Sequence, residues 1–121
     1  MPKVVISDAK GLVQSAGAGL GVGGALYSGN GTTTAAATSS APTLPEGIVN
    51  TVDSANNAHR VLMPKAHGAG QLMVIRNVDS GQDVVIRNNA NGSSLVTLGE
   101  GKTAIMVSTA AGDNWAGSQV D

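Results

Sequence analysis

The chain of 121 residues has no cysteine and no phenylalanine, and Tyr27 and Trp115 are its only aromatic residues. The first absence excludes disulfides and thiolate metal sites, though it leaves the compartment open. The second removes the side chains that bury the most area each, so the core this chain can build alone is thin. Small domains with little buried apolar area rely on disulfides, metals or oligomerisation. Disulfides are impossible here and metal ligands are scarce, which leaves oligomerisation.

Charge of one sign is also missing. Seven basic and eight acidic residues give a net charge of −1, and no basic run exists. Neither nucleic acid nor an anionic membrane is therefore an expected partner. The N-terminus, Met-Pro-Lys-Val-Val-Ile-Ser-Asp, has an apolar run of three residues, too short for a signal peptide or a membrane span. Synthesis and assembly in a cytoplasm are expected.

Chemistry-bearing motifs are absent or fail. Gly19-Leu20-Gly21-Val22-Gly23-Gly24 fits the dinucleotide-binding spacing, but the following Ala-Leu-Tyr-Ser-Gly-Asn-Gly breaks the helix that a pyrophosphate needs. Gly101-Lys102-Thr103 lacks the upstream glycine of a phosphate loop, because Val96 stands there. His59 and His67 are the only histidines, at a spacing matching no familiar ligand pattern. Asn30-Gly31-Thr32 and Asn91-Gly92-Ser93 read as turns. No nucleophile elbow or distinctive carboxylate pair occurs. The expectation is a non-enzyme with no cofactor, no metal and no small-molecule substrate.

What is present is concentrated between Gln71 and Trp115. Runs rich in Val, Ile, Leu and Met alternate with clusters of Asp, Asn, Ser and Gly, the pattern of short strands joined by turns. Val-Ile-Arg-Asn occurs twice, at Val74–Asn77 and Val85–Asn88. The offset of eleven fits one strand plus one turn, and it is read as a hairpin, not as a longer solenoid repeat. With a turn at Asp79–Gln82, Arg76 faces Val85 and Val74 faces Arg87. Met73, Ile75, Val84 and Ile86 then share one apolar face, since side chains alternate along a strand. The opposite face carries Val74, Arg76, Val78, Asp83, Val85 and Arg87, suited either to a subunit interface or to solvent.

Before this stretch, Lys3–Ser7 is a β-prone run that could be an edge strand of its own domain or add to another chain's sheet. From Gly11 to Pro45 no residue is charged, and glycine, alanine, threonine and serine dominate. Such a segment builds no core; it is read as an arm lying against a neighbouring subunit, or else as a linker. Glu46–Asp53 and His59–Met63 then open the folded module. No stretch shows sustained helical periodicity, and the glycines of Lys3–Leu20 argue against a helix there. The expected division is an arm over residues 1–45 and a β module over 46–121.

Five segments of that module, Val61–Pro64, Gly70–Asn77, Val84–Asn88, Leu98–Ser108 and Gly112–Trp115, resemble a strand-and-turn module of bacteriophage virion proteins. That module is found in trimeric capsid decoration (cement) proteins and in trimeric head or tail fibres. The resemblance covers Glu46 to Trp115 and hardly touches the first 45 residues; Arg76 and Arg87 stand where small residues, Lys or Thr are more usual. It implies an all-β, antiparallel sandwich or barrel-like fold assembling as a homotrimer. The short chain, ending six residues after Trp115, points to a decoration protein more than a fibre. The implied role is a structural protein on the capsid exterior that stabilises the shell, with the major capsid protein as partner and assembly in the host cytoplasm. The alternative is a short trimeric fibre or receptor-binding module for host attachment. Val4, Val5 and Ile6 are then the expected shell contacts, and Arg76, Asp83 and Arg87 the expected contacts between subunits.

Overall fold

The computed structural model describes residues 4–7, 11–14 and 31–121. Among them run ten strands: β1 (Val4–Ser7), β2 (Gly11–Gln14), β3 (Thr32–Ala35), β4 (Val49–Ser54), β5 (His59–Leu62), β6 (Leu72–Asn77), β7 (Val84–Arg87), β8 (Ser94–Leu98), β9 (Thr103–Ser108) and β10 (Trp115–Gln119). A 3-10 turn at Thr38–Ser40 is the one helical element among the described residues. The all-β expectation holds. The glycine-rich motif at Gly19–Gly24 and the rest of residues 15–30 lie outside the described residues.

Strands β10-β9-β6-β4-β3 form a five-stranded sheet, and β5-β7-β8 a three-stranded one. Both are mixed, which corrects the antiparallel expectation: β3 with β4, β4 with β6, and β5 with β7 run parallel. The chain reaches this pairing by alternating between sheets. It passes from β4 to β5, back to β6 beside β4, then across to β7 beside β5. A strand that returns to its sheet after each crossing travels in the same direction as its predecessor, so the pair is parallel.

The outcome is a short two-sided coil. Thr32 lies beside Thr51 and Thr43 beside Leu62, nineteen positions on in both cases. Val49 lies beside Val74 and His59 beside Val84, twenty-five positions on in both. Each turn has one length, whichever sheet it is measured in. The hairpin reading of β6 and β7 is therefore overturned, and with it the pairing of Arg76 with Val85 and of Val74 with Arg87. Arg76 instead lies beside Thr51 and Thr103, and Val85 beside Arg60 and Thr97. The eleven-residue offset of Val-Ile-Arg-Asn is half a turn of this coil. Antiparallel strands β8, β9 and β10 close its C-terminal end.

Alternation survives the change of partners. Burial switches with period two along β4, β6, β7 and β9, as pleating requires. Met73, Ile75, Val84 and Ile86 are all fully buried, but they face one another across two sheets instead of lying side by side on one ribbon. Val52, Val61, Leu98 and Met106 are packed with them in the same interior. Three methionines, Met63, Met73 and Met106, fill space that aromatics would usually take, a use their flexible chains suit. Trp115 closes one end, its indole N–H donating to Pro64 O at 2.8 Å.

Residues 31–45 belong to this module and not to an arm. β3 pairs with β4, and Ala35 and Leu44 lie in the core. The backbone at Pro42 and Leu44 bonds both sides of Leu62, covering the outer edge of β5. Threonine is a good strand former despite its small apolar area, so a first coil turn can be built from a sequence that looks coreless.

The crossing from β6 to β7 is held by Asn77. Its buried amide donates to Gln82 O at 2.8 Å, Gly99 O at 3.1 Å and Leu98 O at 3.2 Å, and its carbonyl accepts from Asp79 N. Asp79 in turn accepts from Gly81 N, Gln82 N and Ser54 N. Desolvation pushes its carboxyl upward, but the backbone donors outweigh that and hold it below the usual carboxylate range. Asn88, at the matching place in the second Val-Ile-Arg-Asn, accepts from Gly92 N and Ser93 N.

Candidate assembly surface

The five-stranded and three-stranded sheets each have one face in the core and one facing outward, and the two outward faces differ. On the three-stranded sheet the outward residues are Arg60 and Leu62 from β5, Val85 and Arg87 from β7, and Ser94 and Thr97 from β8. Arg60, Leu62, Val85 and Arg87 are half-buried, because other segments lie over them. Asn91, in the left-handed region at φ 56, donates to Thr38 O at 2.8 Å and meets Arg60 Nη1 at 3.5 Å. Arg87 Nη2 donates to Gly92 O at 2.6 Å. The loop after β7 and the 3-10 segment thus roof this face, with two arginines as props.

The five-stranded sheet is different. Registers place Val49 beside Val74 and Val74 beside Ile105, with Leu72 beside Val107 and Val107 beside Ala116. Val49 is 48% exposed, Leu72 46%, Val107 41% and Ile105 38%. The other large exposed apolar residues, Ile48, Val78 and Val120, directly flank strands of this same sheet. Contiguous apolar exposure of this kind marks an interaction surface, unlike scattered single residues.

Beyond the apolar end lies a charged band. Arg76 pairs with Asp121 at 3.0 Å and donates to Thr103 Oγ1 at 3.0 Å. The Thr103 N–H, foremost, and then Arg76 and Lys102, against an opposing desolvation, hold the Asp121 carboxyl below its usual range. Asp53 stands on the next row, beside Thr34. Arg76 and Asp121 answer each other there, and Asp53 Oδ1 is buried without a hydrogen-bond partner.

The expected contact residues are split by this architecture. Arg76 is on the five-stranded face, whereas Asp83 and Arg87 belong to the three-stranded side; the three do not form one patch. Asp83 is exposed, its backbone N–H donating to Asn57 Oδ1 at 2.9 Å. Val4, Val5 and Ile6 form β1, which pairs antiparallel with β2 in a separate two-stranded sheet. A lone two-stranded ribbon is marginal in water and gains from a further strand or a packing surface.

Sequence reasoning missed Val49, Leu72, Ile105 and Val107. A signal was present: Leu72-Met73-Val74-Ile75 and Ala104-Ile105-Met106-Val107 are unbroken apolar runs, the pattern of strands covered on both faces. Of the histidines, His59 Nδ1 lies 3.3 Å from Ala35 O and His67 Nε2 2.9 Å from Glu46, an exposed pair. Among the described residues no three His, Asp or Glu side chains are grouped to hold a metal. Comparison with protein-family models, with curated proteins and with solved structures finds no match for this chain.

Proposed function

We propose that this chain is a structural virion protein that binds the outer surface of a phage capsid as a homotrimer and stabilises the shell. The observation that carries this reading is the apolar outer face of the five-stranded sheet, with Val49, Leu72, Ile105 and Val107 exposed on it. Surface burial is the mechanism: subunits meet through apolar strands, and the β1–β2 ribbon supplies an edge that can extend a sheet of the shell protein. Val4, Val5 and Ile6 are the contacts proposed for that second task.

Electron microscopy of virions carrying the chain tests the role. Density lying low on the shell in many copies supports decoration, whereas a projecting spike would replace it with a fibre role. Deleting Met1–Lys10 is expected to abolish shell binding and leave the oligomer intact. Equal binding by the shortened protein would remove the ribbon from the mechanism.

A further inference from the structure

We propose that Asn91 is a site of self-modification: the backbone nitrogen of Gly92 converts its side-chain amide to an acid, and the roof over the three-stranded sheet sets the rate. Among the described residues Asn91 is the one asparagine followed by glycine. A follower without Cβ leaves its backbone free to bring the nitrogen against the preceding side chain. Water is the only co-reactant. The Gly92 nitrogen loses its proton to hydroxide and attacks Cγ of Asn91. The N–Cγ bond forms, the Cγ–Nδ2 bond breaks, and Nδ2 takes up a proton from solvent and leaves as ammonia. Water then opens the five-membered imide at either carbonyl, leaving an aspartyl residue or its isoaspartyl isomer.

In the closed roof both reacting groups are engaged elsewhere. The Gly92 N–H donates to Asn88 Oδ1 at 2.8 Å, and the Asn91 amide donates to Thr38 O at 2.8 Å. A hydrogen-bonded N–H gives up its proton only after local opening, the event that also limits amide exchange. Solvent is at hand, because Gly92 and Ser93 are exposed. Two hydrogen bonds, and not burial, therefore hold the reaction back. The surroundings favour the product. Arg60 Nη1 lies 3.5 Å from Asn91 Oδ1, and Arg87 Nη2 donates to Gly92 O at 2.6 Å. Among the described residues neither guanidinium is in an ion pair with a carboxylate. A new negative charge at position 91 is answered by them. The acid lacks the N–H that reaches Thr38 O, so conversion exchanges the tie to the 3-10 segment for one to Arg60. The change runs one way and loosens the cover of this face as the protein ages.

The test is to age the whole protein in mildly alkaline buffer, folded and unfolded in guanidinium chloride. Trypsin then releases residues 88–102, between Arg87 and Lys102, and mass spectrometry reads the amide-to-acid change at each asparagine. In the unfolded chain Asn91 is expected to convert faster than Asn88 and Asn89. In the folded protein it should convert roughly ten- to a hundredfold more slowly, since two hydrogen bonds must first break. Asn88→Ala removes the acceptor of the Gly92 N–H and should speed folded-state conversion about tenfold, in step with Gly92 amide exchange. Gly92→Ala, where a Cβ meets nothing closer than 3.8 Å, should suppress conversion in both states. Asn91→Asp should bind more of a hydrophobic dye than the unmodified protein, as the aged protein does. If Asn88→Ala fails to fold, the folded and unfolded rates of the unmodified protein still decide. Equal rates in the two would overturn control by the roof. An Asn91 side chain that stays an amide in the unfolded chain would overturn the site, and unchanged dye binding by Asn91→Asp would overturn the loosening.

Discussion

The two outward faces are built from strands of the same kind, yet one is roofed by its own chain and the other is not. On the three-stranded side, Asn91, Gly92 and the segment at Thr38 supply acceptors for side chains that would otherwise stand in water. On the five-stranded side, Val49, Leu72, Ile105 and Val107 stay exposed, and Arg76 is matched by Asp121. The difference teaches that a coil of small residues can finish one side internally by folding a loop back. The other side is left as a sheet face with apolar side chains exposed.

The largest effect should come from attacking what the two sides share. Ile75→Ala, on the five-stranded sheet, and Ile86→Ala, on the three-stranded one, should each cost about 2–5 kcal/mol by creating a cavity in the common core. Denaturant melts should show similar losses, and a much smaller loss from either would mean that the sheets are not equally packed. Next, Asn77→Ala should cost about 1–3 kcal/mol by leaving the carbonyls at Gln82, Leu98 and Gly99 without their buried donor. That substitution loosens the crossing that sends Ile75 and Ile86 to different sheets.

Asn91→Ala should convert the roofed side into a likeness of the exposed one. It removes a polar side chain suited to the left-handed backbone as well as the bond to Thr38 O. The expected loss is about 1 kcal/mol, with faster amide exchange in 88–93 and more binding of a hydrophobic dye. Unchanged dye binding would show that the roof does not depend on Asn91.

Acid should separate the two sides further. Asp79 and Asp121 both have folded-state values below their ordinary ones. Their contributions are therefore fully present above the unfolded carboxylate value, about pH 4, and are lost as pH falls through the folded values. Asp79→Asn and Asp121→Asn should each flatten the acid limb of stability. High salt should shrink the Arg76-dependent part of the Asp121 effect and spare Asp79, whose partners are backbone N–H groups. Smallest of all, Arg76→Ala should change monomer stability by about 0–1 kcal/mol, as exposed pairs do.

Much of this was legible in the residues. The apolar alternation placed Met73, Ile75, Val84 and Ile86 inward and Arg76 and Arg87 outward, and the Asn-Gly and Asp-Ser-Gly clusters marked the ends of strands. Partnership was not legible. A hairpin and a half-turn of coil make the same demand on residues 72–87, namely period two with a polar break. The distinction lies in where Asn77 sends its amide, which depends on Gln82, Leu98 and Gly99 arriving together. The first coil turn was missed because Thr32–Ala35 carries almost no apolar bulk and gains its place by pairing with β4.

The sequence by itself determined the all-β character of the described residues and which side of the core strands faces inward, because both follow from local chemistry repeated every second residue. Tertiary structure alone decided which strands are neighbours, that Arg76 and Arg87 end on opposite sides of the molecule, and that one outward face is roofed while the other stays open. Those outcomes depend on contacts between residues nineteen or twenty-five positions apart, and no local pattern records them.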